Sequence, residues 1–283
     1  MHMSPNSINN HSKSTQVDRQ VILVGASGFL GSHLAAYLKN IGVEIFESPK
    51  IIEREIWLKW IREQNLSSNQ VPWIINCGWI STADSDYRQN EANLGWVNYT
   101  KWIAEAAMEI GAKLLCVGSC LEVIPQNQEV YTNAKRASLV QVKLEMSPTQ
   151  WAWVRPYYIY SKSTGRPRVL ELARRSAGEK KKLELYNPNA THDFISIGDV
   201  VSAIWVIMKE NLWGEFDVGT GFLTCVSDLV KSQFPSLEII TATIDEPRSL
   251  NENFQVSEVS VLLRYGWLPV ESIQDLSQIR NSN

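Results

Sequence analysis

The feature that most constrains this chain is a buried-type strand that runs directly into a glycine-rich turn and then a helix. Val21, Ile22, Leu23 and Val24 form the kind of apolar run that a parallel sheet covers on both faces. Gly25-Ala26-Ser27-Gly28-Phe29-Leu30-Gly31 follows at once, and residues 29–38 carry helical spacing that ends near Asn40-Ile41-Gly42. In that order Gly25 permits a tight turn, Gly28 lets a pyrophosphate approach the backbone, and Gly31 allows close helix packing. The helix start would aim free amides and the positive end of its dipole at phosphate. The spacing is G-x-x-G-x-x-G rather than the G-x-G-x-x-G fingerprint. Its position between strand and helix is what carries the dinucleotide reading, with Ser27, Phe29 and Leu30 completing the candidate cofactor loop.

Strand-like and helix-like segments then alternate. Strands are expected over residues 43–46, 71–77, 113–117 and 151–155, the first interrupted at Pro49 and the last stopped by Pro156. Helices are expected over 53–63, over 93–110, and from Tyr131 onward. One helix separates the second strand from the third, so that crossover should be short. The alternation predicts an α/β fold with a doubly wound, Rossmann-like parallel sheet. After residue 156 the pattern loosens, with helices expected over 166–177, 197–208 and 257–265 and short strands over 183–186 and 215–218. The expected division is a disordered extension over 1–18, a mainly dinucleotide-binding domain over 19–160, and a mainly substrate-binding lobe over 161–283. Some late elements should return to the main sheet.

With 283 residues, 44% hydrophobic and 20% charged, the chain can bury a full core. A net charge of -3 gives no reason to expect nucleic acid or an anionic membrane surface. No apolar stretch approaches the length of a membrane span. The four cysteines (Cys77, Cys116, Cys120 and Cys225) have neither metal-ligand spacing nor disulfide density, and the four histidines form no metal set. Buried free thiols in a reducing, cytoplasmic setting and a site without metal are the expectation.

The chemistry is expected at Ser119, Tyr131 and Lys135. Interconverting a carbonyl and an alcohol couples hydride movement to proton movement at the substrate oxygen. A phenol with a pKa of about 10 needs help at neutral pH, and an ammonium one helical turn away stabilises its phenolate. Tyr131 and Lys135 have that spacing, and Ser119, at the exit of the 113–117 strand, can hydrogen-bond the substrate oxygen. At the adenosine end, Glu47 lies near the place of a ribose-binding carboxylate. If Pro49 takes that place instead, Lys50 could neutralise an extra phosphate with Ser48 as donor, which tilts the cofactor slightly from NAD toward NADP.

These anchors resemble the extended short-chain dehydrogenase/reductase family, in its NAD-dependent epimerase/dehydratase group. The resemblance spans residues 19–269 and includes Arg155-Pro156, His192-Asp193-Phe194-Ile195, Asp199-Val200 and Phe216-Asp217-Val218-Gly219-Thr220-Gly221. It implies an oxidoreductase of nucleotide-sugar metabolism, with Tyr131 as proton donor or acceptor, Lys135 as its partner and ribose ligand, and Ser119 on the substrate oxygen. It also implies two lobes and a homodimer built on two helices from each subunit. Three departures stand out. The 119–131 loop is clipped, His192 stands where an arginine commonly meets nucleotide phosphate, and Trp96, with Asn98 nearby, replaces a usual helix asparagine.

Cys120 and Leu121 occupy the positions of the acidic pair that a 4,6-dehydratase uses, with Glu122 one position late, which argues against dehydration. Cys120 reads as a buried thiol, with a proton-transfer role as the alternative. The reading with fewest unsupported groups is NAD(P)H-dependent reduction of a nucleotide-linked 4-keto sugar. A nucleotide-sugar 4-epimerase and a noncatalytic dinucleotide-binding regulator are the alternatives. Tyr157, His192 and Arg248 are the candidate substrate contacts, followed by Arg166, Arg168, Tyr158 and Tyr160. Asp199 is expected to organise the cleft or cap the helix that follows it.

Overall fold

The computed structural model describes residues 19–51, 53–67, 69–80, 87–162, 168–242 and 256–274. The extension expected over 1–18 lies outside them. Strand β1 (Gln20–Val24) enters the glycine turn, and α1 (Phe29–Asn40) leads back to β2 (Glu44–Glu47). Then come α2 (Arg54–Arg62), β3 (Trp73–Asn76), α3 (Ala92–Glu109), β4 (Lys113–Val117), α4 (Val130–Glu145) and β5 (Trp151–Pro156). A one-turn 3-10 helix, Cys120–Val123, stands between β4 and α4.

The main sheet has six strands in the order β10-β5-β4-β3-β1-β2, where β10 is Gly214–Val218. Every pairing in it is parallel. The inner strands β1, β3, β4 and β5 read as apolar runs because each residue meets one of two covered faces. Val21, Leu23, Trp73, Ile75, Ala152 and Val154 enter the core beneath α1 and α6 (Ile197–Glu210). Ile22, Val24, Ile74, Trp151 and Trp153 enter the opposite core beneath α2, α3 and α4. That two-sided burial is why the sequence alternation showed so clearly. The single helix between β2 and β3 carries the chain to the other side of β1, as its short expected crossover requires.

The later half builds the smaller lobe. Its elements are β6 (Tyr158–Tyr160), α5 (Arg168–Gly178), β7 (Leu183–Leu185), β8 (Thr191–His192) and β9 (Phe194–Ser196), then β11 (Thr224–Cys225), α7 (Val226–Gln233), β12 (Ile239–Thr241) and α8 (Ser260–Arg264). Three two-stranded sheets, β6-β9, β7-β12 and β8-β11, line a separate core that includes Tyr160, Leu170, Leu183, Phe194, Leu229 and Leu237. β10 and α6 return to the main domain, one extending the sheet beside β5 and the other packing on α1.

Two polar knots hold the junction. Asp193 is fully buried and accepts from Thr220 N and Oγ1 at 2.6 Å, Gly221 N at 3.1 Å, Ser257 N at 3.0 Å and Ser257 Oγ at 2.6 Å. Asp199 does not cap α6. Ser196 does, accepting from Gly198 N at 3.1 Å. Asp199 instead ties down the C-terminal segment through Ser272 N at 2.7 Å, Ser272 Oγ at 2.5 Å and Glu271 N at 3.2 Å.

Candidate functional site

The sheet order reverses at β1, which pairs with β2 on one side and β3 on the other. The crevice outside the carboxyl ends of strands at such a switch point is where doubly wound folds take ligands. Gly25 lies there with φ +80°, and a Cβ on it would come 2.6 Å from Gly78 N in the loop after β3. A Cβ on Gly31 would overlap Gly25 O, so this glycine is what lets α1 start against the turn. Gly28 N donates to Gly25 O at 3.0 Å and closes the turn. Among the described residues no side chain caps α1, and its first turn holds no acid. Ser27 and Gly28 are exposed, Leu30 is buried, and the Phe29 ring meets His33 edge-on at 5.3 Å. Uncapped helix amides behind a glycine turn at the switch point fit a dinucleotide pyrophosphate.

The adenosine end is differently disposed from the expectation in one respect. Ser48 Oγ donates to Pro49 O at 2.9 Å and accepts from Trp57 Nε1 at 2.9 Å, so its proton is already committed. Glu47 is the last residue of β2, where a ribose-binding carboxylate would stand, and it pairs with Lys39 at 2.7 Å. Lys50 is exposed beyond it.

Ser119, Tyr131 and Lys135 meet at the ends of β4 and α4. Ser119 caps the 3-10 helix, its Oγ accepting from Leu121 N at 3.3 Å, and it stands beside the Tyr131 phenol. Burial pushes Tyr131 well above the ordinary tyrosine range, and the neighbouring Ser119 hydroxyl opposes that shift. Lys135 is 3% exposed and donates to Val117 O at 2.7 Å. Burial brings its ammonium down to about 8, opposed chiefly by Glu122. It therefore remains a cation at neutral pH, next to a phenol that keeps its proton.

Trp79, which sequence reasoning did not single out, roofs this group. Its indole lies 3.5 Å over Lys135 Nζ, meets Tyr131 edge-on at 6.0 Å, and stacks on Trp96 at 5.5 Å. Its Nε1 donates to Asn93 Oδ1 at 2.7 Å, and fully buried Asn93 donates to Tyr87 O and Asn90 O at 2.7 Å each. Trp96 occupies the space beside Gly78, where a Cβ would come 2.7 Å from its ring. Asn98 is exposed, so Asn93 is the α3 asparagine turned toward the site. The Gly25–Gly78 contact and the Trp79–Lys135 contact join the glycine turn to the group of Ser119, Tyr131 and Lys135. Only the glycine spacing hinted at so close an approach in the sequence.

On the substrate side, Cys120 is buried with Leu121, Tyr157 and Tyr131, and burial pushes its thiol up to about 12. That matches the buried-thiol expectation and leaves no thiolate at neutral pH. Tyr157 is buried and donates to Asp217 Oδ2 at 3.1 Å, and burial together with that carboxylate raises its phenol. His192 stacks on Tyr158 with ring centroids 4.0 Å apart, and Tyr158 also packs against the cluster of Cys120, Leu121 and Tyr157. Arg248 and Arg166 lie outside the described residues, as does the side chain of Arg168. No trio of metal-ligating side chains forms among the described residues, and no helix among them is long and apolar enough to cross a membrane.

Comparison with solved structures supports the fold. The chain is similar to a dTDP-4-dehydrorhamnose reductase from Bacillus anthracis in complex with NADP, at 17% identity, TM-score 0.73, and coverage of 94% of this chain and 99% of that one. It is similar to a UDP-glucose 4-epimerase from Thermotoga maritima with UDP-glucose, at 15% identity, TM-score 0.68, and coverage of 88% and 93%. RMD from Pseudomonas aeruginosa complexed with NADPH gives 17% identity, TM-score 0.68, and coverage of 92% and 99%. No curated protein sequence matches the chain. The sequence profile of the NAD dependent epimerase/dehydratase family matches residues 21–219, a stretch that holds the glycine turn, Ser119, Tyr131 and Lys135. This chain, an NAD(P)-binding enzyme of Rossmann-like fold, belongs to that family.

Proposed function

We propose that the protein is an NAD(P)H-dependent reductase of a nucleotide-linked 4-keto sugar. The observation that carries this reading is the convergence of Ser119, Tyr131 and Lys135 at the switch-point crevice, with Ser119 beside a phenol that burial keeps protonated. A protonated phenol is poised to give a proton to a carbonyl oxygen. When bound, NAD(P)H would supply the hydride for the carbonyl carbon. Ser119 orients the carbonyl oxygen, Tyr131 protonates it, and the Lys135 ammonium steadies the phenolate left behind. Dehydration is disfavoured because Cys120 is held protonated and Leu121 carries no acid.

The 4-epimerase reading uses the same three groups in both directions, and the similarity to a UDP-glucose 4-epimerase favours it. It requires Tyr131 to begin as a base, against the direction in which burial moves it. The solved structures similar to this chain include NADP and NAD complexes alike, so the NADP preference rests on Lys50 alone, while Glu47 at the end of β2 speaks for NAD. A homodimer through α3 and α4 belongs to the same proposal. Leu94 and Met108 on α3 and Val140 and Leu144 on α4 are all exposed.

The test is anaerobic incubation with NADPH or NADH against a panel of nucleotide-linked 4-keto sugars. Substrate-dependent loss of reduced-cofactor absorbance is expected, with Tyr131→Phe slowing turnover by at least about 100-fold. Normal turnover by a folded Y131F protein rejects the proton donor. Tightly retained NAD with interconversion of two sugar nucleotides selects the epimerase. A ligand-bound structure that keeps both hydroxyls far from the carbonyl position selects the noncatalytic regulator.

A further inference from the structure

The 3-10 turn that presents Ser119 encloses a carboxylate that the proposed reaction does not use. Glu122 is 7% exposed. Its Oε2 accepts from Ser119 N at 3.2 Å, completing a reciprocal capping box in which Ser119 Oγ serves the same turn. Its Oε1 accepts from Trp153 Nε1 at 2.5 Å and lies 3.4 Å from Arg155 Nε. A Cβ on Gly118 would come 2.9 Å from this oxygen, so the glycine before Ser119 makes room for the carboxylate to fold under the turn. The backbone O of Glu122 accepts from Arg136 Nε at 2.8 Å, which anchors the turn to α4, the helix of Tyr131 and Lys135. Glu122's contacts therefore cap the Ser119 turn and dock it against β5 and α4.

We propose that Glu122 is a positioning residue of this site, holding the turn that presents the Ser119 hydroxyl in place beside the helix of Tyr131 and Lys135. This inference rests on the reading of Ser119, Tyr131 and Lys135 given above. Charged and titratable groups face Glu122 and Lys135 from each packed element. Arg155 comes from β5, with Glu215 and Asp217 of β10 gathered around it. Cys116 comes from β4, Cys77 follows β3, and Cys120 belongs to the turn itself. Among these, Glu122 is the largest influence raising Lys135, and the Cys116 and Cys77 thiols come after it. Burial raises Glu122's own carboxyl, while Trp153, Lys135, Arg155 and the Ser119 amide hold it down. The carboxylate and the ammonium thus support each other's charge across the site.

Glu122→Gln keeps the shape and removes the charge, and Glu122→Asp keeps the charge and shortens the reach to Ser119 N. The first readout needs no substrate. With 13Cε-labelled lysine, the Lys135 resonance is identified by its loss in Lys135→Met and titrated in each protein. E122Q should titrate lower by about one pH unit, and E122D should titrate as wild type. In the reductase assay, E122Q should lose about tenfold or more in kcat/KM, with its alkaline limb moved down by the same shift. E122D should lose kcat with the limb unmoved. A folded E122Q with wild-type kcat/KM and a Lys135 titration identical to wild type overturns the proposal. If E122Q does not fold, an E122D protein with full kcat overturns it. A moved Lys135 resonance in a protein that reduces no member of the panel keeps the proposal and removes the substrate reading.

Discussion

Lys135 shows how a single side chain ties stability to the site's charge state. Its folded-state pKa of about 8 lies below the ordinary 10.5, so between those values the unfolded chain holds a proton that the folded chain has lost. Stability contributed through Lys135 therefore rises with pH across that window, and its burial penalty is fully present below it. Urea unfolding of wild type and Lys135→Met at about pH 7 and about pH 10 should show wild type gaining on the variant by roughly 1–3 kcal/mol at the higher pH. An unchanged difference would mean that the ammonium is solvated in the folded protein. Tyr131, Lys135 and Ser119 could be read from the sequence because helical spacing and a strand exit place them. Trp79 over Lys135 and the reach of Glu122 to Trp153 and Arg155 could not, because those contacts are set by how β3, β4 and β5 lie side by side. Spacing along the chain carries no record of that.

At the level of elements, the long strands and helices of the main sheet were legible because each apolar run is buried from two sides. The strands β6, β8, β9, β11 and β12 were not. They span only two or three residues each. A period of two cannot declare itself over so short a length, and side-chain knots do much of the holding instead. Asp193 is the principal one, gathering Thr220, Gly221 and Ser257 from the β10 exit and the start of the C-terminal segment. Asp193→Asn would turn an amide toward N–H and O–H donors and leave at least one of them unsatisfied. A loss of about 2–4 kcal/mol is expected, seen as a lower urea midpoint with the cofactor loop unchanged. A variant as stable as wild type would show that water replaces the lost acceptor.

For the whole molecule, α3 and α4 pack side by side on one face of the sheet and leave Leu94, Met108, Val140 and Leu144 in solvent. Apolar side chains grouped on two neighbouring helices suit a second copy of the chain. Leu144→Glu combined with Val140→Glu should weaken self-association by about 100-fold. Sedimentation velocity should then show the monomer at concentrations where wild type is expected to dimerise. A dimer that survives both changes places the interface elsewhere. The resemblance supplied this expectation, since helical periodicity reports which face is apolar and says nothing of what covers it.

The position of β10 has a consequence for biosynthesis. This strand flanks β5 in the finished sheet, yet it comes after the whole of α5 and α6 in the chain. A ribosome therefore delivers the cofactor loop, Ser119 and Tyr131 well before it delivers the strand that closes their domain. During that interval β5 is an open edge, and its peptide groups are available to any other extended chain nearby. The emerging polypeptide is most vulnerable to aggregation then, and a chaperone that shields exposed edges would matter most until Val218 has left the exit tunnel.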